Sequence, residues 1–110
     1  MKLSYAMKKG MVGTDQAFGV MFRDNTDKRH HRSKCCALGA AVLGAGGSLH
    51  WDDPLFIDTF MVNTIPSIKK MITNPVTNKR SNLKHVVLQL NDEHKWSRTR
   101  IINWLREQGL

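Results

Sequence analysis

The chain has 110 residues, 41% apolar and 24% charged, which excludes the low-hydrophobicity, high-charge profile of a disordered chain and fits one globular domain, residues 1–110. Seventeen Lys and Arg stand against nine Asp and Glu, a net charge of +8, and five His add to it in acid. Such a surface draws a polyanionic partner, nucleic acid or an acidic protein surface, and no apolar run is long enough for a membrane span.

The opening MKLSYAMKKGM carries Lys2, Lys8 and Lys9 with no long apolar stretch behind them, so it reads as neither a signal peptide nor an anchor. Ser4 is the expected N-cap of a short helix over Tyr5 to Met11, with Gly10 or Gly13 as its stop. Residues 14–22, TDQAFGVMF, suit a helix or a strand equally. Residues 23–34, RDNTDKRHHRSK, have no aliphatic residue and form a basic loop, either a finger on phosphate or a solvated turn.

CCALGAAVLGAGG, residues 35–47, predicts a helix of small residues that only burial can hold, with Gly44, Gly46 and Gly47 as its stop. It lacks the spacing of a glycine-rich phosphate loop. The neighbours Cys35 and Cys36 rarely pair with each other, so two free thiols and a reducing cytoplasm are expected. Asp53 before Pro54 starts the next helix, and Pro66 ends it near Asn63 or Thr64. SIKKMIT adds one turn, and residues 73–82, TNPVTNKRSN, read as a polar loop.

Asn82 can cap a helix carrying Leu83, Val86, Val87 and Leu90 at i, i+3, i+4 and i+7, and this is preferred to a strand through His85 to Leu90. Ser97 caps the closing helix, with Ile101, Trp104 and Leu105 as its stripe, Ile102 beside them and Gly109 at its end. The two helices and the corner NDEHKW outline a helix-turn-helix-like pair. The overall expectation is a mainly α, small single domain of four or five short helices. The segment 35–45 is expected at its centre, with the closing helix packed on it through Trp104.

The basic residues of the loop and the last helix, Arg23, Lys28, Arg29, Arg32, Lys34, Arg98, Arg100, Asn103 and Arg106, are the candidate nucleic-acid contacts. A recognition helix would present Arg98, Thr99, Asn103 and Arg106 to base edges and phosphates. The competing reading has Trp96 and Trp104 lock a helical corner and leaves the arginines to water. Asp92 and Glu93 beside this helix would repel phosphate there.

No catalytic residue, metal ligand or cofactor is assigned. His30, His31, Cys35 and Cys36 fit no standard zinc spacing. Asp52, Asp53 and Asp58 lack the context of an acid–base pair, and a Cys–His pair is no more than any such composition permits. An enzyme therefore ranks third, behind a nucleic-acid-contacting protein and a protein-interaction module.

CALGAA at residues 36–41 and LNDEHKWSRTRIINWL at residues 90–105, with the start MKLSYAMKKG, resemble a group of small uncharacterised proteins of bacteria and their phages. Members of that group often carry Cys-Pro-x-Cys between these stretches. The matching positions here are Ile65, Pro66, Ser67 and Ile68, so any metal knuckle of relatives would be replaced by apolar packing. The resemblance implies a bacterial or phage cytoplasmic setting and no particular activity.

Overall fold

The computed structural model describes residues 1–23 and 33–110. Within them run five α-helices: α1 (Leu3–Met11), α2 (Ala37–Gly44), α3 (Pro54–Thr64), α4 (Leu83–Asp92) and α5 (Arg98–Glu107). Five short strands join them: β1 (Asp15–Gln16), β2 (Phe22–Arg23), β3 (Lys34–Cys35), β4 (Met71–Thr73) and β5 (Arg80–Asn82). The chain is mainly helical, as expected. The two small sheets that these strands make are an addition to that expectation.

Helix α2 is apolar all round, and Ala37, Leu38, Gly39, Ala40, Ala41, Val42 and Gly44 are all buried. A helix with no polar face has to lie inside the molecule. It packs most closely on α1, where two pairs of small residues face each other. A Cβ added at Gly10 would collide with the Ala40 carbonyl oxygen, and one at Gly44 with the Ala6 carbonyl oxygen. Gly10 therefore serves close approach of two backbones, not termination, and α1 runs one residue past it to Met11. Ser4 is not its cap either. The helix begins at Leu3, and Ser4 is buried, with its N–H donated to the Leu110 carbonyl at 3.2 Å.

The other helices follow their caps. Asp53 accepts from the Leu55 and Phe56 amides, and α3 ends at Thr64 before Pro66. Asn82 accepts from the His85 amide, and Ser97 from the Arg100 amide. Leu83, Val86, Val87 and Leu90 on α4, and Ile101, Ile102, Trp104 and Leu105 on α5, are buried. Gly109, at φ +76°, sits just past the Gln108 C-cap. Helix α5 packs chiefly on α1 and next on α4, so the expected seat of α5 on α2 is corrected. Ala40 and Gly44 of α2 meet α1, and Gly39 abuts the Met21 carbonyl.

After α3, Pro66–Lys69 makes one 3₁₀ turn that buries Ile65 and Ile68, the predicted apolar pair. The chain then enters β4 rather than continuing as helix. Residues 73–82 are not a free loop: β4 and β5 pair antiparallel, with Met71 opposite Asn82, Ile72 opposite Ser81 and Thr73 opposite Arg80. The turn closes on Asn74, a buried side chain whose Oδ1 accepts from the Val76 and Thr77 amides at 2.8 and 3.2 Å. Asn74 Nδ2 donates to Gln89 Oε1 at 2.9 Å, tying the turn to α4.

The other sheet has the order β1-β3-β2, with β3 parallel to β1 and antiparallel to β2. Its strands are two residues long, and side chains from the far end of the chain hold it. Asn91, fully buried on α4, accepts from the Ala37 amide (3.1 Å) and Gln16 Nε2 (2.8 Å). Its Nδ2 donates to the Ala17 carbonyl (2.9 Å) and Asp92 Oδ1 (2.7 Å). Gln16 Nε2 also donates to the Trp96 carbonyl, and Asp92 Oδ1 accepts from the Gly19 amide. Residues of the LND and CALGAA stretches are thus occupied with burial and with joining β1, α2 and the α4–α5 corner.

Candidate nucleic-acid interface

The last helix divides the residues assigned to it. Arg100 and Asn103, three apart, lie on one exposed face, where they line a shallow concavity of about 360 Å³ with Trp96, Thr99 and Glu107. The Arg100 guanidinium lies 3.9 Å from the centroid of the half-buried Trp96 ring. Stacking on an aromatic face orients a cation without neutralising it. Arg106, six residues on, is rotated about 120° round the helix and borders a different depression with Lys2 and Tyr5.

Arg98 does not belong to this surface. It is 7% exposed, and its side chain turns under the start of β1. Nη2 donates to the Thr14 carbonyl at 2.6 Å, and Nη1 to Thr14 Oγ1 at 2.8 Å and Cys35 Sγ at 3.4 Å. Its backbone amide donates to Gln16 Oε1 at 3.2 Å. The placement of Arg98 among exposed contacts is therefore corrected. A buried guanidinium needs its donors satisfied, and the N-terminal segment supplies the acceptors.

The basic loop is represented by its two ends. Arg23 on β2 is exposed and lies directly opposite Lys34 on β3, so the sheet brings these two cations side by side. Asp15 of β1 is the neighbour of Lys34 on the other side. Lys28, Arg29 and Arg32 lie outside the described residues. Near the α4–α5 corner, Lys95 Nζ stands 4.7 Å over the centroid of Phe18, an exposed ring.

A second basic region escaped the sequence reading. Between Asp58 and Asp92 the chain has no acidic residue, yet it carries Lys69, Lys70, Lys79, Arg80 and Lys84. Lys84 bonds Asp58, the single side-chain ion pair among the described residues. Lys69, Lys70, Lys79 and Arg80 are exposed at the two ends of the β4–β5 hairpin. The acid-free span was the available signal. It was hidden because 73–82 reads as loop and the four cations fall into two distant pairs.

The thiols are poorly placed for covalent chemistry. Cys36 caps α2, accepting from the Gly39 amide at 3.4 Å. Burial pushes its thiol up to about 11, so it stays protonated at neutral pH and is a weak nucleophile. Cys35 is buried beside Thr14 and Arg98. Among the described residues, no three His, Cys, Asp or Glu side chains gather in a way that could hold a metal ion. His94 Nε2 is enclosed with no hydrogen-bond partner among the described residues. No described helix is long and apolar enough to cross a membrane.

No protein-family model, curated protein or solved structure matches this chain. The functional reading therefore rests on the residues themselves.

Proposed function

We propose that this is a small non-enzymatic protein of bacterial or phage type that uses a basic surface to contact nucleic acid, alone or within a nucleic-acid-handling complex. The observation that carries the reading is the state of its cations. With a net charge of +8, Lys69, Lys70, Lys79, Arg80, Arg100 and Arg106 are exposed without a carboxylate partner among the described residues. Unpaired cations at fixed positions on a folded surface neutralise phosphates and release the counterions condensed on the nucleic acid. Stacked cations on Trp96 and Phe18 add faces that can meet sugar and base.

On this reading α4 and α5 act as a helix-turn-helix-like pair, with Thr99, Arg100 and Asn103 among its exposed polar residues. Arg98 holds the corner in place rather than reading a base. Fluorescence anisotropy of a labelled 20-base-pair duplex, titrated at 50 and 200 mM salt, tests the reading. Six phosphate contacts predict an affinity loss of about 10³-fold between the two. No binding at 50 mM refutes it.

A protein-interaction module is the second reading, and one observation favours it. On α3, Leu55 is 75% exposed and Phe56 52% exposed, side by side. A complex with a protein partner that survives nuclease treatment and 200 mM salt would select this reading.

A further inference from the structure

We propose that the β4–β5 hairpin is a docking ribbon for duplex DNA, set into the major groove with Lys69 and Lys70 at one rim and Lys79 and Arg80 at the other. The inference rests on the nucleic-acid reading above and names the element that makes the contact. It assigns the main contact to residues outside the last helix and the basic loop.

The hairpin is stiff well beyond its three-residue strands. The ladder continues from the Leu83 amide to the Lys70 carbonyl (2.8 Å) at one end, and from the Asn74 amide to the Lys79 carbonyl (2.8 Å) at the other. The turn is closed by Asn74, which is 1% exposed and bonded to Gln89 on α4. The Lys79 amide donates to Thr77 Oγ1, bracing the tip once more. A buried amide side chain that makes three hydrogen bonds thus holds a tip whose residues Pro75 to Arg80 are all exposed.

One face of the ribbon is committed to the body. Ile72 and Ser81 are half-buried, and Ile72 packs on the core. By strand alternation, Met71, Thr73, Arg80 and Asn82 share the opposite face. Met71 is 52% exposed there, and Val76 at the tip is 49% exposed. A free apolar contact of this kind suits a thymine methyl group.

Charge and spacing point to a duplex. Lys70 stands opposite Leu83 and Arg80 opposite Thr73, so the two cation pairs are three residues apart along the ribbon, about 10 Å. The major groove of B-form DNA is about 12 Å wide and admits a two-stranded ribbon. By the same alternation Lys70 and Lys79 fall on the side of Ile72 and Arg80 on the free face, so Lys70 and Arg80 flank that gap from the two ends of the ribbon, as phosphates flank the groove. An acidic protein patch would attract the same charges but would not select that gap.

The test compares three proteins in the anisotropy assay across a salt series: the unaltered chain, Lys69→Ala/Lys70→Ala/Lys79→Ala/Arg80→Ala, and Arg100→Ala/Arg106→Ala. Circular dichroism verifies the fold of each, and Lys79→Ala/Arg80→Ala serves as a milder hairpin variant. At about 0.9 per phosphate, the fourfold variant should flatten the slope of log affinity against log salt by about 3.6, and the milder one by about 1.8. Affinity at 100 mM salt should fall at least ~100-fold in the fourfold variant, and far less in the α5 variant. If the unaltered chain binds and the fourfold variant keeps its slope within one unit, the hairpin assignment fails while nucleic-acid binding stands. If the unaltered chain does not bind at low salt, both fail.

Discussion

Replacing Asn91 with leucine tests the packing account where it is most exposed to failure. The two side chains have nearly the same shape, so little volume changes, and the loss is one of hydrogen bonds. Asn91 makes four of them, and two reach backbone groups that are themselves buried, the Ala37 amide and the Ala17 carbonyl. The Asn91→Leu substitution would leave both without a partner. A buried polar group so stranded costs about 1–3 kcal/mol, so the pair costs about 4 kcal/mol. Gln16 and Asp92 keep other partners, at the Trp96 carbonyl and the Gly19 amide, and add little. Against a typical domain stability of about 5–15 kcal/mol this is a large fraction. For a chain this size it lowers Tm by roughly 15 °C or more. Urea and thermal unfolding followed by circular dichroism measure it. A loss below about 1 kcal/mol would mean that the β1 segment does not depend on Asn91.

Three further outcomes follow from the same structure. Gly10→Ala drives a Cβ into the Ala40 carbonyl oxygen, which no side-chain rotation relieves, and should cost about 3 kcal/mol in urea unfolding. Cys36 has its thiol raised from 9.0 to about 11, so the folded state keeps a proton that the unfolded state releases. Stability should therefore be full below about pH 9 and fall by about 2–3 kcal/mol as the pH rises to about 11, a decline that Cys36→Ser should blunt in pH-resolved unfolding. Arg98→Met should destabilise the fold by about 2–3 kcal/mol by stranding the Thr14 acceptors, while duplex affinity of the folded protein, measured well below its Tm, stays within about threefold.

The elements legible in the sequence are those with a cap and an apolar stripe close together. Asp53–Pro54, Asn82 and Ser97 mark three helix starts because one polar side chain and one periodic face suffice. Strands β1, β2 and β3 were not legible, since two-residue strands carry no alternation and are held by Asn91 and Gln16 across the chain. The β4–β5 hairpin was missed for a related reason. MIT and RSN show no apolar period, and the turn depends on a buried Asn74 that looks like an ordinary loop residue. Gly10 looked like a stop because the partner that needs its missing Cβ, Ala40, is 30 residues away.

The candidate site was legible in its charge and not in its placement. Arg98 belongs to the same RTR run as Arg100, yet its acceptors at Thr14 draw it inward. Arg100, Asn103 and Arg106 are exposed as read, but Arg106 borders a different depression from Arg100 and Asn103. The hairpin cations form no run, and they become a unit once Thr73 and Arg80 are paired.

A two-dimensional ¹H–¹⁵N NMR titration with a 20-base-pair duplex at 50 mM salt tests the central claim most directly. Shifts should concentrate at Lys69 to Arg80, with smaller ones at Thr99 to Asn103, and reverse at 500 mM salt. An unchanged spectrum, or shifts confined to residues away from the hairpin and α5, would contradict that claim.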